Sequence, residues 1–210
     1  MAKPQPERDE RQRVIEAFRL ADYFVVDLIT GTEMHEFFLN LNMNLGENTR
    51  ETLIALHVRM VYSFLIITLT KYLEWYARFK DIIPRESREG CKKLYVKLSE
   101  KLQLRKFRNK VVAHIIDDDT GRPLTPEEVD KLFREFVDKV KEDLNDSVPG
   151  WRERVKEIFG NRELDIFCLW VNSQGANPQD PVNTIQTARD AIRKKYNLTN
   201  DELFPGLHSL

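Results

Sequence analysis

MVYSFLIITL, Met60 to Leu69, is apolar on every side of a helix, and its reading decides the fold. At about ten residues it is half the length of a membrane crossing, and Arg59 and Lys71 close it off. A helix apolar all round over that length reads as the centre of a helical core. Working outward, Asn48-Thr-Arg-Glu51 resembles a capping box with Asn in the cap position. It predicts a helix from roughly Thr49 to Ile83, stopped by Pro84. Tyr62, Tyr72, Trp75, Tyr76 and Phe79 lie on that helix, as core or as dimer surface.

The flanks repeat the helical pattern. Over 8–30, Val14, Phe18, Ala21, Phe24 or Val25, and Leu28 recur at helical spacing, and Gly31 is the expected stop. Leu39-Asn-Leu-Asn-Met-Asn-Leu45 alternates with period two but has no partner strand, so 31–48 reads as a loop or extended segment. Arg85 to about His114 is the next helix, with Leu104, Phe107, Val111 and Ile115 as its apolar stripe. Thr120-Gly121-Arg122-Pro123 makes a turn. Thr125-Pro-Glu-Glu128 is a second capping box with Pro126 at the first helical position. Its helix runs to about Asn145 and buries Val129, Leu132, Phe133, Phe136, Val140 and Leu144. Ser147-Val-Pro-Gly150 breaks the pattern. Beyond it come a short helix near Trp151–Phe159, the apolar patch Ile166–Val171 and a helix over about Pro181 to Tyr196. The expected architecture is all-α: an antiparallel bundle of four or more long helices over 1–146, with a smaller helical extension over 147–210.

Composition agrees and excludes other classes. Hydrophobic residues make 41% of the 210 and charged residues 32%, a globular profile, and only eight Gly and nine Pro interrupt the helices. The net charge of −1 names no partner. The N-terminal MAKPQPERDERQR has no apolar signal core. We therefore expect a cytoplasmic protein, no membrane contact, unused sequons at Asn145 and Asn197, and two reduced thiols at Cys91 and Cys168. Those cysteines show no metal-ligand spacing, and His35, His57 and His208 are scattered, His57 reading as a structural residue of the long helix. Asp117-Asp-Asp119 reads as a solvated turn. There is no Gly-rich phosphate loop, no G-x-S-x-G and no zinc spacing. No metal and no cofactor is expected.

The functional signal is local. From Arg85 to Lys110 there are ten bases, at 85, 88, 92, 93, 97, 101, 105, 106, 108 and 110, against the three acids Glu86, Glu89 and Glu100. A basic stripe of that kind suits a phosphate backbone. Cations near a helix end also suit its macrodipole, and the acidic stretch from Asp117 to Asp146 could neutralise the stripe internally. At the stripe's end stands KFRNKVVAH, Lys106 to His114. On an ideal α-helix Arg108 sits about 60° to one side of Val111 and His114 about 60° to the other, while Asn109 points away at about 160°. One helix does not bring Arg108 and His114 together. An isologous contact between two copies, or an early helix end, would.

Arg108-Asn109-Lys-Val-Val-Ala-His114, near the end of the third long helix, resembles the signature of the HEPN superfamily (higher eukaryotes and prokaryotes nucleotide-binding): Arg, a polar residue, four more residues, His. The likeness covers about 8–145. It implies a metal-independent endoribonuclease that works as a homodimer, often in toxin–antitoxin or antiphage systems with an antitoxin or defence partner. By that resemblance His114 is the acid or base, Arg108 stabilises the scissile phosphate and Asn109 orients. Arg105, Lys106 and Lys110 are candidate RNA-backbone contacts. Ile116 stands where some family toxins carry a modifiable Tyr, so that regulation is not expected. The alternative is a non-catalytic helical module that binds a nucleotide or a partner protein through the same basic helix.

Overall fold

Helix α1, Gln5–Asn42, runs antiparallel to α2, Glu47–Phe79, and this pair is the frame of the molecule. The register shows in paired contacts along it. Trp75 Nε1 donates to the Ala17 carbonyl at 2.9 Å, Gly31 faces Leu65, and His35 meets the Tyr62 ring at 6.2 Å. The computed structural model describes residues 5–42, 47–113, 122–159, 165–174 and 177–205. Within these, 5–8, 39–42, 47–56, 111–113, 147, 155 and 158–159 are described by their backbone alone.

Two expectations fail in α1, for one reason. Gly31 does not end the helix, and the alternating segment is helical as far as Asn42. A Cβ on Gly31 would stand 2.7 Å from Leu65 Cδ2 and 3.0 Å from Phe64 Cδ1. The glycine is there so that α2 can come close, and tertiary contact overrides its poor helix propensity. The expected inward positions Val14, Phe18, Ala21 and Leu28 are buried, as are both Phe24 and Val25. The outer side of the pair remains apolar, with Tyr23, Val26, Phe37, Met60 and Phe64 exposed.

The segment 60–69 turns one side into the core, with Val61, Tyr62, Leu65, Ile66 and Leu69 buried, while Met60, Phe64 and Ile67 are exposed, so it is not buried all round. Among the described residues no helix is long and apolar enough to cross a membrane. Helix α2 stops at Phe79 rather than Ile83. A turn follows, and Pro84 precedes α3, Arg85–Val96. Tyr72, Trp75, Tyr76 and Phe79 are all buried, and Tyr72 spends its hydroxyl on the Cys91 carbonyl at 2.9 Å.

The single helix expected over 85–114 is broken. After α3 the chain widens into a π-turn, Lys97–Lys101, then Gln103 enters the left-handed region at φ 48°, ψ 43°. Helix α4, Leu104–Phe107, follows, then a second π-turn, Arg108–Ala113. The leucines explain the break. Leu94, Leu98 and Leu102 step by four, which drifts by about 40° per step on an α-helix. A wider turn takes up that drift. Leu102 and Leu104 are two apart, about 200° on an unbroken helix, yet both are fully buried. Only a reversal at Gln103 puts both inward.

Helix α5, Pro126–Ser147, begins as its sequence dictates. Thr125 Oγ1 accepts from the Glu128 N–H at 3.3 Å, and Glu128 Oε2 accepts from the Thr125 N–H at 2.8 Å. Arg122, also paired to Glu128 at 3.0 Å, holds that carboxyl well below the usual carboxylate range. Val129, Phe136, Val140 and Leu144 are buried; Leu132 and Phe133 are partly so. Helices α6 (Trp151–Phe159), α7 (Ile166–Val171), α8 (Pro181–Tyr196) and α9 (Asn200–Leu203) complete the chain. Among the described residues there is no strand, and the fold is all-α.

The extension shares the core of the bundle. Phe167, Trp170, Val171, Ile185, Ala188 and Ile192 belong to the same apolar cluster as Phe18, Leu65 and Phe136. Helices α7, α8 and α9 lie along the side of α1 that α2 leaves uncovered. Arg11 donates to Glu202 and to the Tyr196 carbonyl, Arg19 donates to the Leu203 and Glu202 carbonyls, and Arg189 pairs with Asp22 at 2.8 Å. A fully buried tryptophan such as Trp170 contributes about 3–5 kcal/mol by the usual cost of truncation.

Two substitutions check this account by urea unfolding. Gly31→Val drives methyl groups into Phe64 and Leu65 and lowers stability by about 1–3 kcal/mol. Gln103→Gly relieves the left-handed strain and raises it by about 0.5–1 kcal/mol, the net of a strain of about 1–2 and a glycine entropy cost of about 0.5–1 kcal/mol.

Candidate functional site

The basic segment divides at Gln103 into two surfaces. The first lies on α3 and its π-turn, where Lys92, Lys93, Lys97 and Lys101 surround a shallow cleft that reaches Asp143 of α5. Part of this charge is used internally, as the acidic stretch suggested. Asp143 is 2% exposed; its Oδ2 lies 2.7 Å from Lys97 Nζ and accepts from Trp170 Nε1 at 2.9 Å. Lys101 approaches both Asp143 and Asp146, at 3.6 and 3.5 Å. Arg88 donates to the Ile83 and Asp81 carbonyls. One buried carboxylate therefore ties the basic helix, α5 and α7 together.

The second surface lies beyond Gln103. Lys106 and Lys110 line a cleft between α4 and α5, together with Gln103, Phe107, Phe136 and Lys139. Its floor is aromatic. Phe107 stacks on Phe136 at 4.6 Å and meets Phe133 edge-on at 5.3 Å. Three lysines over a rigid apolar floor form an anion-attracting groove, with Glu135 at its edge. Lys139 is the member that sequence reasoning missed. It sits on the polar face of α5, and only the tertiary contact brings it opposite Lys106 and Lys110. Arg105 is exposed and does not line this cleft.

Arg108 opens the second π-turn, and its side is half-buried. Its guanidinium donates twice to one atom: Nε and Nη2 donate to Asn109 Oδ1 at 3.1 and 2.7 Å. The expected separation of Asn109 from the working face assumed an ideal α-helix. In a π-turn the spacing per turn is wider, and the two side chains meet. The consequence is electrostatic. An amide oxygen fixes the guanidinium without neutralising it, whereas a carboxylate would consume the charge. Among the described residues no carboxylate forms an ion pair with Arg108.

His114 lies outside the described residues, as do Asp117-Asp-Asp119, Ile115 and Ile116; of Val111 only the backbone is described. Arg108, Asn109, Lys106 and Lys110 are thus brought onto one short segment. Set against family models, curated proteins and solved structures, the chain matches none.

Asn109→Ala removes the amide that accepts both guanidinium hydrogen bonds. We expect faster exchange of the Arg108 Nε–H and greater mobility of its side chain by NMR, with the helical circular dichroism unchanged.

Proposed function

We propose that the chain is a HEPN-like endoribonuclease that cleaves RNA without a metal ion in the reaction, acting as a cytoplasmic homodimer in a toxin or antiphage-defence setting. The observation that carries this reading is Arg108: a half-buried cation, held by a neutral amide and without an acidic partner among the described residues, on a π-turn beside a lysine-lined groove. π-Turns are frequent at functional sites because they re-aim side chains. The exposed apolar side of the α1–α2 pair is consistent with association of two copies.

The chemistry needs few parts. RNA supplies its own nucleophile, the 2′-OH. His114 takes the 2′-OH proton as the oxygen attacks the phosphorus, and an imidazole titrates in the right range for that transfer. Arg108 stabilises the charge that builds on the phosphoryl oxygens. The P–O5′ bond breaks, the 5′-oxygen takes up a proton, and the products are a 2′,3′-cyclic phosphate and a 5′-hydroxyl. Asn109 keeps the guanidinium aimed. Lys106, Lys110 and Lys139 hold flanking phosphates.

Two assays test this. Cleavage of total and structured RNA, without divalent cations and with EDTA, is expected for the wild type and falls by at least about 100-fold in Arg108→Ala and His114→Ala. Replacing Lys106 and Lys110 together by Glu weakens RNA binding and flattens its salt dependence by about one to two log units of slope. RNA bound but never cut by a dimeric wild type moves the function to the non-catalytic module, for which the two lysine-lined clefts suffice. Neither binding nor cleavage overturns the nuclease reading and leaves the module that binds a nucleotide or a partner protein.

A further inference from the structure

Away from the basic surface, α1, α2 and the start of α7 bring a second set of chemically active side chains together. His35 is 2% exposed and His57 6%. Their rings stack with centroids 5.5 Å apart. Asp165 caps α7, its Oδ1 accepting from the Cys168 N–H at 2.9 Å. Its Oδ2 accepts from the Tyr62 hydroxyl and stands 3.6 Å from His35 Nε2. One donor atom from each of His35, Asp165 and Cys168 lies within 4.8 Å of the other two.

Hydrogen bonding leaves this group incomplete. Among the described residues His35 Nδ1 and His57 Nε2 have no hydrogen-bond partner, although both are buried. A buried polar atom without a partner is costly, and His35 carries one such atom within the cluster it forms with Asp165 and Cys168. The donor set points to one class. A thiol, an imidazole and a carboxylate suit a borderline-soft divalent ion, and zinc above all. A thiolate and a carboxylate together cancel the charge of a divalent cation, which a buried site requires.

We infer that His35, Asp165 and Cys168 bind one Zn²⁺ ion and thereby fasten the start of α7 to α1. Tetrahedral zinc places its ligand atoms about 3.5 Å apart, so side-chain shifts of under about 1 Å close the site. The fourth position goes to water. Tyr62 is a positioning residue, since its hydroxyl orients the Asp165 carboxylate. Binding releases the Cys168 thiol proton to solvent, because the thiolate is the ligand, so uptake strengthens as pH rises. This site goes beyond the ribonuclease reading and takes no part in cleavage. Spacing motifs did not reveal it because its ligands come from opposite ends of the chain.

Cobalt titration of the chelator-treated full chain, followed by zinc displacement, tests the site. We expect one ion per chain and a thiolate-to-cobalt charge-transfer band that zinc abolishes. The band persists in Cys91→Ser and Arg108→Ala. It is lost in Cys168→Ser, and affinity falls by about 10-fold in Tyr62→Phe. A wild type that shows no thiolate band at one equivalent of cobalt overturns the proposal, as does a band that survives Cys168→Ser. If Cys168→Ser does not fold, Cys91→Ser still decides, because its only thiol is Cys168. Loss of RNA cleavage in Arg108→Ala with cobalt binding intact separates the two proposals.

Discussion

Helix α1 has to bury two faces at once, and the rest of the structure follows from that demand. One face meets α2, and the meeting is close because Gly31 carries no side chain where Phe64 and Leu65 press in. The other face meets α7, α8 and α9. A helix with a single apolar stripe would have made a two-helix hairpin and left residues beyond 147 without a place. Here Phe18 and Leu28 share one core with Phe167 and Ile185, and arginines at 11 and 19 reach around to carbonyls at 196, 202 and 203.

That arrangement fixes what the basic segment can become. Asp143 takes Lys97, Lys101 and Trp170 as partners, so α3 and its π-turn are anchored to α5 and α7. A lone carboxylate at 2% exposure is costly unless paired and hydrogen-bonded. Its pairing engages two of the segment's bases and covers most of Lys97. Beyond the reversal at Gln103 the lysines line a different cleft, and Arg108 donates to an amide, with no acid paired to it among the described residues. Internal neutralisation lies on one side of Gln103 and the lysine-lined cleft on the other.

Much of this was legible in the chain. The apolar run at 60–69, the capping box at Thr125 and the starts and stops of α6 and α8 follow from local periodicity and turn chemistry. What local rules could not show were tertiary demands. Gly31 has the propensity of a helix breaker, and only the approach of Leu65 explains why the helix ignores it. Leu102 and Leu104 look like an ordinary continuation until both prove buried. Lys139 joins the cleft through packing alone, and Cys168 meets His35 only because α7 folds back on α1. Arg108 and Asn109 stood out in the sequence as candidates, but their contact depends on a turn wider than an α-helix.

The two-faced burial of α1 also orders events in time. During synthesis α1 emerges ahead of α7, α8 and α9, and the face of α1 that they cover stays open until residues 165–203 have been made. Contacts such as Arg11 to Glu202 and Asp22 to Arg189 span nearly the whole chain. Such long-range closure slows folding and makes its last step depend on the C-terminal helices. The bundle that presents Arg108 is therefore finished only when the end of the chain arrives, and a chain cut short before α7 has no means of completing it.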